Sequence, residues 1–466
     1  MTNAPLKITR EMQDAFARLS GDVNPQHVDE IAARRLMFGM PVVHGIHSLL
    51  RVLEAVAEAR AEARALASLR VSFDLPVAIG EPLELTLDGT FPEVKFALQR
   101  DGRKAVRGRA SFSATPSPEH RPSPLPGGLV CRTRGAAEID DAHGALPIGY
   151  DPDLFQSLFP NLFKTFDREQ VAMLLTATRL VGMECPGLHS IFGGLKMTFH
   201  PAAAPCAALD YRVTTWNPEF RLLQMAISCP HAEGIIDAFL RPPPVAQADM
   251  ATIRSLIGRR SFHGRTALVI GGSRGLGETT AKIIAAGGGR VVLTYAAGED
   301  DAWRVAADIA AAGGQAKSAH FDVRNPAPLD APFGPFDRVY YFATPRIPHN
   351  EGKSLDADIF ARLLDYYATG LVRCAAALRP LLADTAVLCA PSTVFIDRPD
   401  PRFREYALAK QAGEATALGL ADAALRVVCP RLPRLRTDQT SALQDVGAAD
   451  PLPALLAMID RAEAAA

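Results

Sequence analysis

The chain has 466 residues, a formal net charge of −1, 22% charged residues and 48% hydrophobic residues. That length allows roughly three units of ~150 residues, each able to bury a core, and the near-neutral balance gives no electrostatic reason for a nucleic-acid partner or an anionic membrane surface. The seven cysteines (131, 185, 206, 229, 374, 389 and 429) are scattered and form no CxxC pair, which argues for reduced core thiols and against a disulfide framework or a structural metal site.

The opening stretch MTNAPLKITREM has no signal-peptide character, and no uncharged apolar run reaches ~18 residues, so a cytoplasmic location is expected. The run REMQDAFARL (10–19) reads as a helix that Gly21 and Pro25 stop. Directly after it, SGDVNPQHVDE (20–30) presents Asp22 and His27 from a loop. MPVVHGIHSLLRVLEAVAE (40–58) reads as a second helix, followed by the strand-like runs SLRVSFDLPV, EPLELTLDGTF, EVKFALQRDG and AVRGRASFSA. The proline-rich seam TPSPEHRPSPLPGG (115–128) closes this block. A second block sets GMECPGLHSIFGGL (182–195) before KMTFHPA, AALDYRVTTW, RLLQMAISC and GIIDAFLRP. GMPVVHGIHSLL (39–50) and GMECPGLHSIF (182–192) align with a one-residue slip, His47 over His189, and predict an internal duplication of a helix wrapped by a curved antiparallel sheet. After a second seam, RPPPVAQ (241–247), short β-rich runs alternate with alanine- and leucine-rich helical stretches, the rhythm of a parallel sheet covered on both faces.

Ser20, Gly21, Asp22, Asn24, Pro25 and His27, with His44-Gly45 downstream, closely resemble the MaoC-like (R)-specific enoyl-thioester hydratases and dehydratases of the hot-dog fold. The resemblance implies an α+β double hot-dog, with residues 1–118 as the catalytic half and 126–242 as a non-catalytic partner half that lacks the Asp-x-Asn-Pro-x-His stretch. Dehydrating a 3-hydroxyacyl thioester requires a base for the C2 proton, a group that orients the departing hydroxyl, and an electrophile for the thioester oxygen. His27 suits the first role and Asp22 the second. The backbone N–H of Gly45, at the start of the helix, suits the third. His44, His47 and His189 are expected to be structural or to line the substrate.

The third block, 262–466, opens with TALVIGGSRGLGE (266–278), a strand running through a glycine-rich turn into a helix. Such a turn aims backbone N–H groups and a helix N-terminus at a dinucleotide pyrophosphate. Further on come FDV (321–323), Ser392 and YALAK (406–410). Together these resemble the short-chain dehydrogenase/reductase family, with an α/β Rossmann-type doubly wound parallel sheet. The resemblance implies a cofactor site of Gly271, Ser273, Arg274, Gly275, Leu276, Gly277, Asp322 and Val323, and a catalytic set of Ser392, Tyr406 and Lys410. Tyr406 and Lys410 are four apart on a helix, so an ammonium is expected beside the phenol, lowering its pKa. The second strand ends VVLTYAAG with no acid before Glu299, and Arg274 can pair with a 2′-phosphate, which favours NADPH over NADH. The block departs from the family in YFATP (341–345), in Tyr367 where a relay asparagine is usual, and in a short substrate-lid region.

The blocks together predict a bifunctional enzyme acting on acyl thioesters of an acyl carrier protein or coenzyme A. It would reduce a 3-oxoacyl thioester with NADPH and then dehydrate the (R)-3-hydroxyacyl product. The alternatives are a dehydratase with a docking reductase-like domain, an oxidative hydratase and NAD-dependent dehydrogenase, and a non-catalytic carrier-binding scaffold. Both families commonly associate, so a homo-oligomer is what the resemblance implies.

Overall fold

The computed structural model describes residues 5–60, 62–113, 124–125, 127–200, 206–350, 352, 354–398 and 400–465. The chain folds as two compact units, Met1–Pro243 with Ala442–Gln444 and Pro244–Ser441 with Asp445–Ala466. Most of the first proline-rich seam lies outside the described residues.

Among the described residues the first unit holds nine strands: β1 (Ala65–Phe73), β2 (Glu84–Asp88), β3 (Glu93–Arg100), β4 (Arg103–Ser113), β5 (His143–Pro147), β6 (Ser190–Phe199), β7 (Ala208–Asn217), β8 (Leu222–Cys229) and β9 (Ala232–Leu240). They form one sheet in the order β2-β3-β4-β1-β6-β9-β8-β7-β5. The two halves of the unit meet where β1 pairs antiparallel with β6, Ser68 opposite Thr198 through Ser72 opposite Gly194. One helix, Gly45–Ala59, buries Ile46, Leu49, Leu50, Val52, Leu53 and Val56 against this sheet. Most of this helix is buried on every side, its polar members included, Glu54 accepting from the Asn161 and Leu162 N–H groups, so the sheet can wrap it. A second helix, Arg168–Arg179, is capped by Asp167 and runs on into a π-helical turn, Leu180–Glu184.

The second helix is not where the internal alignment put it. Residues 182–195 were expected to repeat the Met40–Glu58 helix, but Pro186 and Gly187, at φ 81°, end the π turn, and Ser190–Phe199 enters the sheet. A register shift between Phe192 and Gly194 absorbs the extra residue there. The Arg168–Arg179 helix lies upstream of the aligned motif. The match between the two Gly-Met motifs therefore did not carry a match in secondary structure.

In the second unit β10 (Thr266–Ile270), β11 (Arg290–Tyr295), β12 (Gln315–His320), β13 (Phe336–Tyr341), β14 (Leu382–Cys389) and β16 (Leu425–Val428) form a six-stranded sheet in the order β12-β11-β10-β13-β14-β16. All five pairings are parallel. A separate short pair joins β15 (Ser392–Thr393) to β17 (Arg431–Leu432). The strand order reverses between β10 and β13, and a crevice at the carboxyl ends of such strands is where ligands bind in open parallel sheets.

Candidate active sites

In the first unit the Arg10–Ser20 helix is capped by Thr9 and stopped by Gly21 at φ 72°. A left-handed residue there turns the chain inward, which glycine allows without a Cβ penalty. The following stretch is not the expected loop. Asn24 caps a single helical turn, Pro25–Val28, and its side chain accepts from the Gln26 N–H. That turn aims His27 back at Asp22. A carboxylate oxygen of Asp22 and ring nitrogens of His27 and His44 all lie within 4.8 Å of one another.

The hydrogen bonds assign the nitrogens. His27 Nδ1 sits 2.7 Å from the Val42 carbonyl and must donate to it, which leaves Nε2 with its lone pair. The His27 ring stacks on His44 with centroids 3.8 Å apart. His44 is held from both sides: the Gln13 amide donates to Nδ1 at 2.6 Å, so Nε2–H donates to the backbone oxygen of Asp22 at 3.0 Å. Gln13 also accepts from His47 Nδ1 at 3.0 Å. These bonds occupy both nitrogens of His44 with protein partners, so of the two rings it is His27 Nε2 that is available for chemistry. Burial, then the neighbouring His44, push His27 down to about 3, against the pull of Asp22 and of the Val42 hydrogen bond. Burial raises Asp22, yet His44, His27 and the Thr178 hydroxyl outweigh it and hold the carboxyl below its usual range.

The second half of the unit completes this site. Thr178 Oγ1 donates to Asp22 Oδ2 at 2.8 Å, across 156 residues of sequence. Asn24 Nδ2 donates to the Gly182 carbonyl at 2.8 Å, with the Gly187 and Leu188 carbonyls at 3.2 and 3.3 Å. A Cβ on Gly182 would lie 2.2 Å from Asp22 Oδ1 and 2.5 Å from its Cγ and Oδ2. Arg179, 1% exposed, donates to the carbonyls of Ser20 and Pro147 and pins the end of the first helix. Gly45 is the first residue of its helix, where the N–H has no partner within the helix. A Cβ on it would meet the Phe73 ring at 2.9 Å. Thr178, Gly182 and Gln13 were missed in the sequence because nothing local marks a residue that acts on a group far along the chain.

In the second unit Gly271, Ser273, Arg274, Gly275, Leu276 and Gly277 form the turn from β10 into the Gly275–Ala286 helix. Gly271 has φ 75° and Gly275 φ 59°, and a Cβ on Gly277 would strike the Gly271 carbonyl at 2.2 Å. The turn is thus folded onto the helix start, a cradle that fits a dinucleotide diphosphate. Arg274, the residue expected to meet a 2′-phosphate, has its Nη1 3.3 Å from Asp438 Oδ2. Glu299 accepts from the Tyr295 hydroxyl at 2.7 Å. Asp322 and Val323 follow β12, and Asp322 forms a two-pronged pair with Arg324.

The surroundings of Tyr406 differ from expectation in two respects. Consecutive strand residues face opposite ways, so of the neighbours Ser392 and Thr393 in β15 one alone can face Tyr406, and that one is Thr393. A hydrogen bond from Thr393 acts to lower the Tyr406 pKa, while burial, the larger effect, pushes it up to about 12. Ser392 Oγ is buried on the other side and turned to the Glu414 carboxylate. Nor does Lys410 lower Tyr406: its Nζ donates to the Pro391 carbonyl at 3.0 Å and lies 4.1 Å from the centre of the Tyr367 ring. Burial pushes Lys410 down to about 8. The signal for Thr393 was present in the sequence as a second hydroxyl beside Ser392; only strand direction chooses between them.

Comparison with known families matches part of each unit. Residues 1–101 match the family described as MaoC like domain, and residues 265–426 match the family described as short chain dehydrogenase. The chain joins a MaoC-like domain to a short-chain dehydrogenase domain. The MaoC-like domain implies the hot-dog fold, which its helix-wrapping antiparallel sheet fits, and the short-chain dehydrogenase domain implies the Rossmann-type parallel sheet. Among solved structures, a dehydrogenase/reductase from Sinorhizobium meliloti 1021 is 22% identical, covering 44% of this chain and 90% of its own, with a TM-score of 0.38. An angucycline C-6 ketoreductase with bound NADP is 22% identical over 44% of this chain and 91% of its own, TM-score 0.39. A short-chain dehydrogenase/reductase from Serratia marcescens is 21% identical over 44% and 92%, TM-score 0.38. No curated protein matches the chain. Among the described residues no helix is long and apolar enough to cross a membrane.

Three expected outcomes follow from the geometry of these domains. In the MaoC-like domain, His27 stays neutral down to about pH 3, so its Nε2 keeps its lone pair through the range where an ordinary histidine titrates. A dehydration rate measured against pH should show no inflection near the ordinary histidine value of 6.5. Stability has the opposite sensitivity: below that value the unfolded chain binds a proton that folded His27 refuses, so stability is full above it and falls as the pH drops towards 3. Asp22, with its folded pKa also lowered, adds a loss in the same direction. Thermal unfolding across the acid range checks this. In the short-chain dehydrogenase domain, Thr393→Val should lower the hydride-transfer step by ~10²-fold or more, and Thr393→Ser should restore it. Single-turnover cofactor oxidation measures both.

Proposed function

We propose that the chain is a bifunctional enzyme of acyl-thioester metabolism, in which the short-chain dehydrogenase domain reduces a 3-oxoacyl thioester with NADPH and the MaoC-like domain dehydrates the (R)-3-hydroxyacyl product to the 2-enoyl thioester. The observation that carries the reading is the Asp22–His27 pair, with His27 Nδ1 tied to the Val42 carbonyl and Nε2 left facing the carboxylate's neighbourhood. We take the first unit to be a double hot-dog, its second half supplying Thr178 and Gly182 to the site in the first.

In this reading His27 Nε2 takes the C2 proton, and the C2–H electron pair becomes the C2–C3 double bond as the C3–O bond breaks. The departing oxygen is oriented by Asp22 and leaves as water with a proton returned from His27. The Gly45 N–H, at a helix N-terminus, polarises the thioester carbonyl. In the other domain the Gly271–Gly277 turn would hold the dinucleotide, with Asp322 and Val323 at the adenine. The bound cofactor supplies a hydride to C3. Tyr406 donates the proton to the carbonyl oxygen, Thr393 positions that oxygen, and Lys410 is the nearby proton source. NADPH is preferred because no acid ends β11; Arg274 meets the 2′-phosphate by exchanging Asp438 for it. The substrate is carried by an acyl carrier protein or coenzyme A.

Acetoacetyl thioesters of both carriers, incubated with NADPH and followed by mass spectrometry, test the whole reading: oxidation of NADPH and appearance of the enoyl thioester are expected. Absence of both products on both carriers overturns it. A narrower second reading, a dehydratase with a reductase-like docking domain, draws on the Arg274–Asp438 pair and on Tyr406 standing at about 12. A fluorescence titration in which NADPH does not bind would select it.

A further inference from the structure

The second unit holds a cavity of about 20 Å³, lined by Tyr341, Tyr367, Pro391, Ser392, Lys410 and Glu414 among others. A space of ~10–15 Å³ suffices for one water when polar groups surround it. Three polar groups of different kinds line this one: the Lys410 amine, the Ser392 hydroxyl and the Glu414 carboxylate. The hydroxyl is the unusual member. Ser392 is 6% exposed, and its Oγ, facing Glu414, meets no described residue at full hydrogen-bonding geometry. A buried hydroxyl is rarely left in that state without a water or a role.

The other exit from Lys410 is closed. Tyr367 offers the ammonium its ring face at 4.1 Å, and its own hydroxyl is committed to Thr344 Oγ1 at 2.5 Å. It cannot pass a proton to the amine from that position. Gly413 lets the Arg404–Gly419 helix press against Tyr367, since a Cβ on it would lie 2.6 Å from the Tyr367 carbonyl. Glu414, by contrast, leads outward. Its side chain is 19% exposed and forked against Arg431, with Nη2 at 2.9 Å and Nε at 3.1 Å. The Arg431 pairing, countering burial, holds the carboxyl below its usual range, so a negative charge stands at the mouth of the cavity.

We propose that Ser392 and Glu414 form the proton route by which Lys410 is recharged from solvent. The proposal rests on the reductase reading above and adds a path to it. A proton from solvent reaches a water held at the Glu414 carboxylate and passes to Ser392 Oγ as that hydroxyl gives up its own. The released proton goes to Lys410 Nζ, converting amine to ammonium. Ser392 and Glu414 end as they began, and the net change is one proton moved from solvent to Lys410. Both forms of the lysine are accessible near neutral pH, because burial brings its pKa down to about 8. Ser392 and Glu414 are relay residues in this account, not groups that touch substrate.

The test follows exchange of the Lys410 ammonium protons with water in the full chain labelled with ¹⁵N-lysine, by NMR, the signal assigned through Lys410→Arg. Ser392→Ala and Glu414→Gln should each slow exchange by about tenfold or more, and each should raise the solvent isotope effect on NADPH oxidation. Ser392→Thr should restore the wild-type rate. Glu414 lies at the edge of the core, so Glu414→Gln remains informative if Ser392→Ala does not fold. Exchange at the wild-type rate in a folded Glu414→Gln or Ser392→Ala variant overturns the route. If those variants exchange normally while the wild type still oxidises NADPH with an acyl thioester, the reductase reading stands and the relay alone falls. A wild type that neither binds nor oxidises NADPH removes the reading and the relay with it.

Discussion

Replacing His27 by alanine is expected to lower water elimination by ~10²–10⁴-fold while leaving NADPH-dependent reduction unchanged. The reason is the asymmetry of the imidazole cluster. His44 has both nitrogens engaged, by the Gln13 amide and by the Asp22 backbone oxygen, and His47 is turned to Gln13 and stacked on Phe16. Both nitrogens of His44 are taken, and His47, whose Nε2 is unpartnered, is not part of the Asp22–His27–His44 cluster, so neither ring stands in for the lost base. The fold should tolerate the change, because the His27 side chain contributes one hydrogen bond, to the Val42 carbonyl. Enoyl-thioester formation from a 3-hydroxyacyl thioester, read by mass spectrometry beside NADPH consumption from the 3-oxo substrate, separates the two activities. Retained elimination would move the base elsewhere.

Gly182→Ala is expected to abolish the same reaction although residue 182 is 160 positions from Asp22 and bears no functional group. Its added methyl would fall within 2.5 Å of three carboxyl atoms of Asp22. Asp22 is 1% exposed and cannot swing into solvent, so the carboxylate must leave Thr178 or the π turn must open. Overpacking of this kind costs ~1–3 kcal/mol, and displacing the carboxylate removes the group that orients the leaving hydroxyl. Dehydration should fall together with the unfolding temperature of the first unit, and reduction should persist. Thr178→Val provides the separate control: it keeps the volume, removes the hydrogen bond to Asp22, and should raise the Asp22 pKa. Unimpaired dehydration in Gly182→Ala would show that the second half does not shape the site.

Much of the fold was legible locally. The Arg10–Ser20 helix with its Gly21 stop, the strand meander after Gly45–Ala59, and the alternation that builds the parallel sheet all follow from turn residues and apolar periodicity over a few neighbours. The misplaced repeat shows the limit of that logic. GMECPGLHSIFGGL resembles its counterpart in letters, but Pro186 and Gly187 break the helix and the next residues have strands β1 and β9 waiting on both sides. Pairing on both sides is a long-range gain that outweighs a weak local preference.

The residue types of both sites were likewise determined by the sequence alone: a carboxylate and an imidazole five apart across a proline turn, a glycine-rich strand-to-helix turn, and a tyrosine and lysine one helical turn apart. Tertiary structure alone decided what each group faces. It turned Thr393 rather than Ser392 towards Tyr406, set Lys410 over Tyr367 instead of beside the phenol, paired Arg274 with Asp438, and brought Thr178 and Gly182 against Asp22. The physical reason is range. Chain geometry correlates residues over one or two turns, whereas the direction of a buried side chain is set by whichever distant segment fills the space beside it.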